Sequence, residues 1–403
     1  MARSCSTICL PIGTDAYLGI VADPRRFRSW LDRSFGDHPE LFPAAFAGGY
    51  RLKDQRRSAK TGLRLRRVRL KSTGESFSVR PSFALPYMTA STADVQAPLF
   101  LRAFGVPFWA LTRVFGKNPM YWYRLEVSLG RNSVVGTTVR RADVPAHLLA
   151  DEHHRRRDGR KNYIATTVGA GCCLGATLAP SAGADDLQAA YEVFKREAEN
   201  VRPGYRPTTV NTDGWKATRQ AWRCLFPLVV LLRCFLHGWL NIRSRGKSTE
   251  TFAALSEKVW NAYDAISSRS FAQRMRRLWE WAKHNVTTAW VLQGVEKLCG
   301  RAREYGAAYG HPGGHRTSNM LDRVMRSMNR YFDDGQHLHG SREAAEHHCR
   351  AWALLHNFRP WHPATTRGNE GWRGPAERLN RHRYHGDWLQ NLPVCASLAG
   401  YRR

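Results

Sequence analysis

NYIATTVGA, residues 162–170, and CCLGATLA, residues 172–179, are two runs of small and β-branched residues separated by one glycine. An apolar run at 147–151 (HLLAD) precedes them, and 207–213 (PTTVNTD) follows them. Residues 186–199, before the last of these runs, carry apolar side chains at helical spacing. Short β-rich runs bounded by turn residues are typical of strands. Three strands, a helix and a fourth strand therefore predict an α/β layer.

The overall composition is strongly basic. The 403 residues include 62 Lys and Arg against 33 Asp and Glu, which gives a formal net charge of +29. This charge creates a positive field that attracts polyanions, so nucleic acid is the leading predicted partner and an acidic membrane surface is the second. Hydrophobic residues make up 43% of the chain, which is enough for a buried core and excludes wholesale disorder.

Cysteine usage and apolar runs predict a cytoplasmic protein. The nine cysteines are odd in number and mostly isolated, so they imply no disulfide framework and suit a reducing compartment. The N-terminal apolar run is too short for an export signal. The longest apolar stretch, Phe226 to Ile242, contains Arg233 and His237 and is too short to span a bilayer. We therefore expect no membrane-spanning segment and, with nucleic acid as the leading partner, no membrane partner.

The first third of the chain combines a basic β pattern with short helical patterns. Residues 1–50 indicate no clear role. In residues 51–83, apolar residues alternate with cations, and a second β-rich run follows Gly74, which predicts a hairpin with one cationic face. That face either contacts phosphates or is a solvated edge protected by charge. The cations expected to contact DNA are Arg64, Arg66, Arg67 and Arg69.

The remaining segments are predicted to be largely helical. Residues 98–130 have a helix, tight turn, helix rhythm, which fits either a helix-turn-helix DNA reader or an ordinary small helical domain. Residues 247–309 contain no proline and have apolar residues at helical spacing, which predicts an all-α insertion. Residues 316–332 predict a further helix with Thr317 or Ser318 as its N-cap.

Three aspartates stand out in this basic chain. Asp151 ends the first predicted strand, Asp213 ends the fourth, and Asp322 lies one turn into the helix predicted at 316–332. Strand ends in α/β proteins face the crevice where active sites are built. Carboxylates that meet there raise one another's pKa unless a cation such as Mg²⁺ neutralises them. Each acid alone also has an ordinary explanation, as a turn residue, a solvated strand end or a helix N-terminal residue.

With their flanking residues, these acids resemble a family, the mutator-type (MULE-related) insertion-sequence transposases of bacteria. The third acidic motif resembles the family's T-T-N-x-x-E helix, with Asn319 at the Asn position. Cys234 and His237 resemble its C-x2-H motif. The resemblance covers about residues 145–360. The segments that carry it are 149–152 (LADE), 158–163 (DGRKNY), 210–215 (VNTDGW), 233–237 (RCFLH) and 316–322 (RTSNMLD).

The resemblance implies an α/β fold with a ribonuclease H-like catalytic domain, a mixed sheet with helices, in residues 145–245 and 311–356. The all-α insertion would occupy residues 246–310 and interrupt this domain. Residues 51–140, the basic hairpin and the helical region, would supply most of the DNA binding. The basic tail, residues 357–403, is predicted to form loops packed on the body.

The resemblance also implies an activity, that of a DDE transposase. Asp151, Asp213 and Asp322 would hold Mg²⁺ or Mn²⁺, as two ions, to hydrolyse a phosphodiester at the element ends and to join the freed 3′ hydroxyl to target DNA. Cys234 and His237 would be structural, and Asn319 would cap or orient the helix of the third acid.

Double-stranded DNA is the expected partner, both as terminal repeats and as target. Arg155, Arg156 and Arg157 are further candidates for phosphate contacts. By analogy with the family, a homodimer or larger assembly forms on DNA in the bacterial cytoplasm, associated with the nucleoid. The Gly-rich segments lack the residue order of nucleotide-binding loops, so no nucleotide cofactor is expected.

One departure from the family pattern leaves alternatives open. Asp322 stands where the family usually has Glu, and Asp is one methylene shorter. Glu152, Asp333 and Asp334 are candidate substitutes as the third acid. The rival functions are a catalytically inactive DNA-binding relic of such a transposase and a ribonuclease H-like nuclease.

Two other clusters are weaker metal candidates. Cys234 and His237 alone do not supply the four ligands of a structural zinc site. A group of histidines is interpreted as a basic patch near DNA, because no metal-binding H-E-x-x-H order accompanies it. Its members are His337, His339, His347 and His348.

Overall fold

Two β-sheets organise the chain in the computed structural model, which describes residues 6–86, 88–333, 338 and 340–401. The strands are β1 (Thr7–Leu10), β2 (Tyr50–Arg57), β3 (Arg64–Leu70), β4 (Ser76–Pro81), β5 (His147–Arg157), β6 (Arg160–Gly169), β7 (Cys172–Ala179), β8 (Thr209–Thr212) and β9 (Val230–Arg233). The protein therefore has a mixed α/β fold, as the sequence predicts.

Helices surround and connect these sheets. The helices before β5 are α1 (Thr14–Val21), α2 (Pro24–Asp37), α3 (Thr92–Arg102), α4 (Phe108–Phe115), α5 (Pro119–Leu129) and α6 (Val134–Thr138). Those between β7 and residue 310 are α7 (Ala184–Val201), α8 (Lys216–Leu225), α9 (Phe235–Gly246), α10 (Phe252–Tyr263), α11 (Ser268–Asn285), α12 (Ala289–Gly300) and α13 (Ala302–Gly306). The last five are α14 (Asn319–Asp333), α15 (Arg342–Phe358), α16 (Pro363–Arg367), α17 (Pro375–Asn380) and α18 (Trp388–Cys395).

The N-terminal sheet has the strand order β1-β4-β3-β2. Strands β3 and β4 form the antiparallel hairpin predicted on either side of Gly74, and β2 adds a third antiparallel strand. In β3, Arg66, Val68 and Leu70 are all buried, so Arg66 is on the inner face with the apolar residues. Its guanidinium donates hydrogen bonds to the carbonyls of Val21 and Ala22 at the end of α1, at 2.6 and 2.8 Å. The predicted cationic face therefore does not include Arg66.

The second sheet is mixed and has the strand order β7-β6-β5-β8-β9. Strands β5, β6 and β7 are antiparallel, whereas β8 and β9 run parallel to β5. Alternate residues of β5 face opposite sides, so Leu149 joins the core formed with α14 and α15, while Leu148 and Ala150 join the core formed with α6, α7 and α8. Both faces of this sheet are therefore covered by helices.

The helical region α3 to α5 packs against the second sheet's helices rather than standing apart. Glu126 on α5 is fully buried and lies 2.8 Å from Arg102 of α3 and 2.8 Å from His348 of α15. The Arg102 guanidinium also covers the ring of Tyr331 in α14. A fully buried carboxylate needs such partners, because an unpaired charge in the core is strongly destabilising.

The region from α9 to α13 consists only of helices and has a hydrophobic core of its own. Phe235 and Trp239 of α9 contribute to it, together with residues of α10, α11 and α12 such as Leu255, Phe271 and Val295.

The C-terminal tail differs from the predicted loops. It forms α16, α17 and α18 and places Val394 in the core of the N-terminal sheet.

None of the described helices combines the length and the apolar character needed to cross a bilayer.

Candidate active site

Strand pairing brings Asp151 and Asp213 to neighbouring positions. The parallel register of β5 and β8 pairs His147 with Thr209 and Leu149 with Asn211. Two residues farther along each chain are Asp151 and Asp213. Asp213 directly follows β8, as expected, whereas Asp151 lies in the middle of β5, because β5 continues for six residues beyond it to Arg157. Asp151 was predicted to end its strand, and this prediction is wrong.

The third acid, Asp322, lies in the first turn of α14. Its backbone N–H donates to the carbonyl of Ser318 at 2.8 Å, and its Oδ2 accepts a hydrogen bond from Ser318 Oγ at 2.9 Å. Asn319 is exposed, and no hydrogen bond from its side chain is found among the described residues. Ser318 therefore holds the carboxylate of the third acid, whereas the role expected of Asn319 was to cap or orient the helix.

Asp213 and Asp322 both lie close enough to Asp151 for their charges to act on its carboxylate. Burial, followed by repulsion from Asp213 and then from Asp322, raises the pKa of Asp151 to about 6, although a hydrogen bond from the Glu152 backbone and the nearby His237 oppose the shift. A carboxylate whose ionised form is disfavoured in this way binds a cation in place of a proton. This electrostatic coupling joins residues from β5, from the end of β8 and from α14.

The donor set fits a hard divalent cation in its chemistry. One oxygen of each carboxylate accepts a hydrogen bond: Asp151 Oδ1 from the Glu152 N–H, Asp213 Oδ1 from the Trp215 N–H, and Asp322 Oδ2 from Ser318. No described residue donates to the other oxygen of each, and Mg²⁺ prefers such carboxylate oxygens. However, no three His, Cys, Asp or Glu side chains of the described residues are close enough together to form a ready-made metal cage. Closer approach of the three carboxylates is needed.

Glu152 faces away from these acids. It is 7% exposed and lies between α7 and α8, where it accepts hydrogen bonds from Tyr191 Oη at 2.7 Å and from Thr218 Oγ1 at 2.8 Å. Burial, with a smaller contribution from the Asp151 and Asp213 charges, raises the pKa of Glu152 to about 7. Because it is on the opposite face of β5 from Asp151, Glu152 is not a substitute for Asp322.

The predicted C-x2-H pair lies between the acids. Cys234 follows β9 and is fully buried, and its sulfur faces His237 in the first turn of α9. This contact, with attraction to Asp151 and Asp322, raises the pKa of His237 to about 9, although burial opposes the shift. Burial would raise the pKa of Cys234, but the contacts with His237 and Ser318 outweigh it and lower the pKa.

Two arginines line the loop that carries Asp213. Arg233 Nη2 donates to the Gly214 carbonyl at 3.1 Å, and Arg233 Nε lies 3.4 Å from Glu304 of α13. Arg219 of α8 donates to the same Glu304 carboxylate at 2.9 Å. Gly214 has a φ of +97°, and a Cβ there would come within 2.0 Å of the Arg233 guanidinium. Only glycine allows this backbone conformation and this close approach together.

The predicted DNA-contacting arginines divide into exposed and engaged groups. Arg155 is 6% exposed and pairs with Asp333 at 2.5 Å and with Asn329 Oδ1 at 2.9 Å, so it fastens the C-terminal end of α14 to β5. Arg67 pairs with Asp54, and Arg157 is partly buried beside Asp158. Arg66 and Arg155 are therefore unavailable to DNA in this structure. The exposed members of the predicted set are Arg64, Arg69 and Arg156.

The remaining candidates do not form a second site. Asp333 is engaged with Arg155, far along α14 from Asp322, so it is not a substitute acid. His348 is buried against Glu126 and Tyr331, and His347 is half-buried, so neither belongs to an exposed basic patch. Asp334, His337 and His339 lie outside the described residues.

Comparison with known proteins gives no assignment, because no protein-family model matches the chain and no curated protein matches it significantly.

Some residues of the site carry weak sequence signals. Ser318 was singled out only as an N-cap, and its bond to Asp322 has no pattern of its own. Arg219 and Glu304 belong to separate helices, 85 positions apart, so only the folded chain shows that they meet. Arg233 was visible as part of the RCFLH motif, but its contact with Gly214 was not.

The raised pKa of Asp151 makes the free energy of unfolding depend on pH. An aspartate with a folded pKa near 6 and an ordinary value of 3.8 destabilises the fold once it ionises, so the cost is absent below about pH 4 and complete above about pH 7. Asp151→Asn keeps the oxygen that accepts from Glu152 and removes the charge. We expect it to stabilise the metal-free protein by about 2–3 kcal/mol at about pH 8 and by almost nothing near pH 4.

Urea unfolding at several pH values measures the difference in the free energy of unfolding between Asp151→Asn and the unmodified protein. Glu152 is present in both proteins, so its titration largely cancels from this difference. Asp158→Asn, in the exposed turn between β5 and β6, is the matched control and should change little at any pH. Equal stability of Asp151→Asn and the unmodified protein at about pH 8 would contradict the raised pKa of Asp151.

Gly214→Ala tests the packing of Arg233 on the Asp213 loop. The matched control is Gly159→Ala, because Gly159 has a φ of +74° but open space where a Cβ would be added. We expect the control to cost about 1–2 kcal/mol from backbone strain alone. Gly214→Ala should cost about 1 kcal/mol more, because it also displaces Arg233 from the Gly214 carbonyl. Equal losses in urea unfolding would show that Arg233 is not held at this position.

Proposed function

We propose that this protein is a DNA transposase that cleaves phosphodiesters at the ends of an insertion sequence and joins the freed 3′ hydroxyl to target DNA. The observation that carries the proposal is the β5–β8 register that places Asp151 beside Asp213 at the centre of a mixed α/β sheet, together with the charges of Asp213 and Asp322 that raise the pKa of Asp151. A DDE active site requires its three acids to lie together in the folded chain.

The surroundings of the acids also support this proposal. The mixed sheet with helices on both faces is compatible with a ribonuclease H-like catalytic domain, and α9 to α13 form a separate core between the second and third acids. His237, whose pKa is raised, lies beside the acids, and Arg233 contacts the loop that carries Asp213 while sharing the Glu304 carboxylate with Arg219. A scissile phosphate needs positive charge, because its negative oxygens otherwise repel the carboxylates.

In this proposal Asp151, Asp213 and Asp322 hold Mg²⁺ or Mn²⁺. Divalent metal supplies activation of the attacking hydroxyl and stabilisation of the leaving oxygen. The protein's own residues fix the acids: the β5–β8 pairing sets the positions of Asp151 and Asp213, and Ser318 sets that of Asp322. The attacking group is water for cleavage and the 3′ hydroxyl for joining, so no protein nucleophile is involved.

DNA cleavage tests the proposal directly. Purified protein is incubated with a supercoiled plasmid that carries candidate element ends, with Mg²⁺ or Mn²⁺. We expect metal-dependent nicking that Asp213→Asn reduces by at least about 1,000-fold, because that variant loses a charged metal ligand. Asp158→Asn, an exposed aspartate of the same domain, should nick as the unmodified protein does.

The other outcomes separate the rival functions. DNA binding without cutting at any metal concentration would favour the inactive DNA-binding relic. Metal-dependent cutting of plasmids with and without element ends, with no joined products, would favour a nuclease. Joined products that appear only with plasmids carrying element ends would favour the transposase.

A salt titration tests which arginines contact phosphates. DNA affinity should fall steeply with salt concentration, and Arg69→Ala or Arg156→Ala should each reduce the slope of log affinity against log salt by about 1. Arg66→Ala and Arg155→Ala should leave the slope unchanged and lower the free energy of unfolding instead, because both arginines are buried and hydrogen-bonded. A slope that responds to Arg66 and Arg155 but not to Arg69 and Arg156 would reverse this assignment.

A further inference from the structure

Cys234 touches the chain segments that carry two of the three acids. Its backbone N–H donates to the carbonyl of Thr212 at 2.8 Å, directly before Asp213. Its sulfur lies 3.2 Å from the backbone N of Ser318, which donates to it, and 3.3 Å from Ser318 Oγ. Ser318 is one helical turn before Asp322. A single buried residue therefore links the end of β8 to the start of α14.

The hydrogen bonds continue from Cys234 to the third carboxylate. As a thiol, Cys234 donates to Ser318 Oγ, and Ser318 Oγ–H donates to Asp322 Oδ2 at 2.9 Å. The Ser318 hydroxyl thus accepts one hydrogen bond and donates another, so its direction is fixed at both sides. Ser318 is 2% exposed, which leaves water little access to replace these partners. A neighbouring bond, from the Phe235 N–H to the Arg316 carbonyl at 3.1 Å, ties α9 to the same segment.

We propose that Cys234 and Ser318 are positioning residues that set the orientation of the Asp322 carboxylate relative to Asp213. This inference rests on the proposed metal-dependent function and gives the C-x2-H motif a specific task within it. Neither residue touches the reacting atoms. Residues that orient a metal ligand through a hydrogen bond contribute substantially to metal affinity, because they restrict the ligand to the productive geometry.

Mn²⁺ affinity of the full-length protein is the direct measurement, by calorimetric titration and by the electron paramagnetic resonance spectrum of bound Mn²⁺. Cys234→Ala and Ser318→Ala should each weaken Mn²⁺ binding by about 10-fold. The double variant should lose no more than either single variant, because both changes break the same link. Cys349→Ala, which removes another fully buried cysteine, should leave Mn²⁺ affinity within about twofold.

Two further variants separate positioning from general damage. In an Asp322→Asn background, Cys234→Ala should cause no additional loss of Mn²⁺ affinity, because the carboxylate on which it acts is gone. Cys234→Ser retains a donor and acceptor at the same position and should recover most of the affinity lost in Cys234→Ala. If the alanine variant of Cys234 does not fold, the comparison of Cys234→Ser with Ser318→Ala decides the question.

The outcomes distinguish this inference from the proposed function. Equal Mn²⁺ affinity in the unmodified protein, Cys234→Ala and Ser318→Ala would overturn the positioning role and leave the metal site intact. Losses that persist unchanged in the Asp322→Asn background would also overturn it. Absence of Mn²⁺ binding in the unmodified protein would overturn the proposed metal-dependent function itself, and the positioning role with it.

Discussion

The parallel pairing of β5 and β8 is the constraint on which the site depends. Backbone hydrogen bonds between these strands fix Asp151 and Asp213 at neighbouring positions, although the two charges repel each other. The repulsion is tolerated because the strands lie at the centre of a five-stranded sheet whose two faces are packed with apolar side chains. The fold thus stores an unfavourable interaction at one place, as is common where a protein binds a cation or a substrate.

The sequence was most informative where a pattern depends on neighbouring residues. The β-rich runs around Gly171 and the helical spacing after Asp186 predicted the α/β layer, and the acids at 151, 213 and 322 were chosen from such local context. Local sequence patterns do not predict long-range partners, because the roles of Ser318, Arg219 and Glu304 depend on which segments meet in space. Asp151 was wrongly predicted to end its strand because the apolar run stops there, whereas β5 continues through polar residues to Arg157.

The arginines show why charge runs are difficult to interpret from sequence. Arg66 alternates with apolar residues and was assigned to the cationic face, yet it points inward with Val68 and bonds the end of α1. Arg155 and Arg156 are adjacent, and they face opposite sides of β5, so one is buried against α14 and the other is exposed. Alternate residues of a strand face opposite sides, so the position of a cation along the strand decides whether it faces the core and stabilises the fold or faces outward, where a polyanion could reach it.

Helix α14 is fastened at both ends, by Ser318 to Cys234 at its start and by Asn329 and Asp333 to Arg155 at its finish. A helix held at one end can pivot, whereas a helix held at both ends moves only with the segments that hold it. Asp322 and Asp151 therefore belong to one rigid unit, because Arg155, which holds the C-terminal end of α14, lies in the same strand as Asp151. In the proposed metal-dependent function, the acids would therefore approach one another through side-chain torsions rather than through a shift of α14.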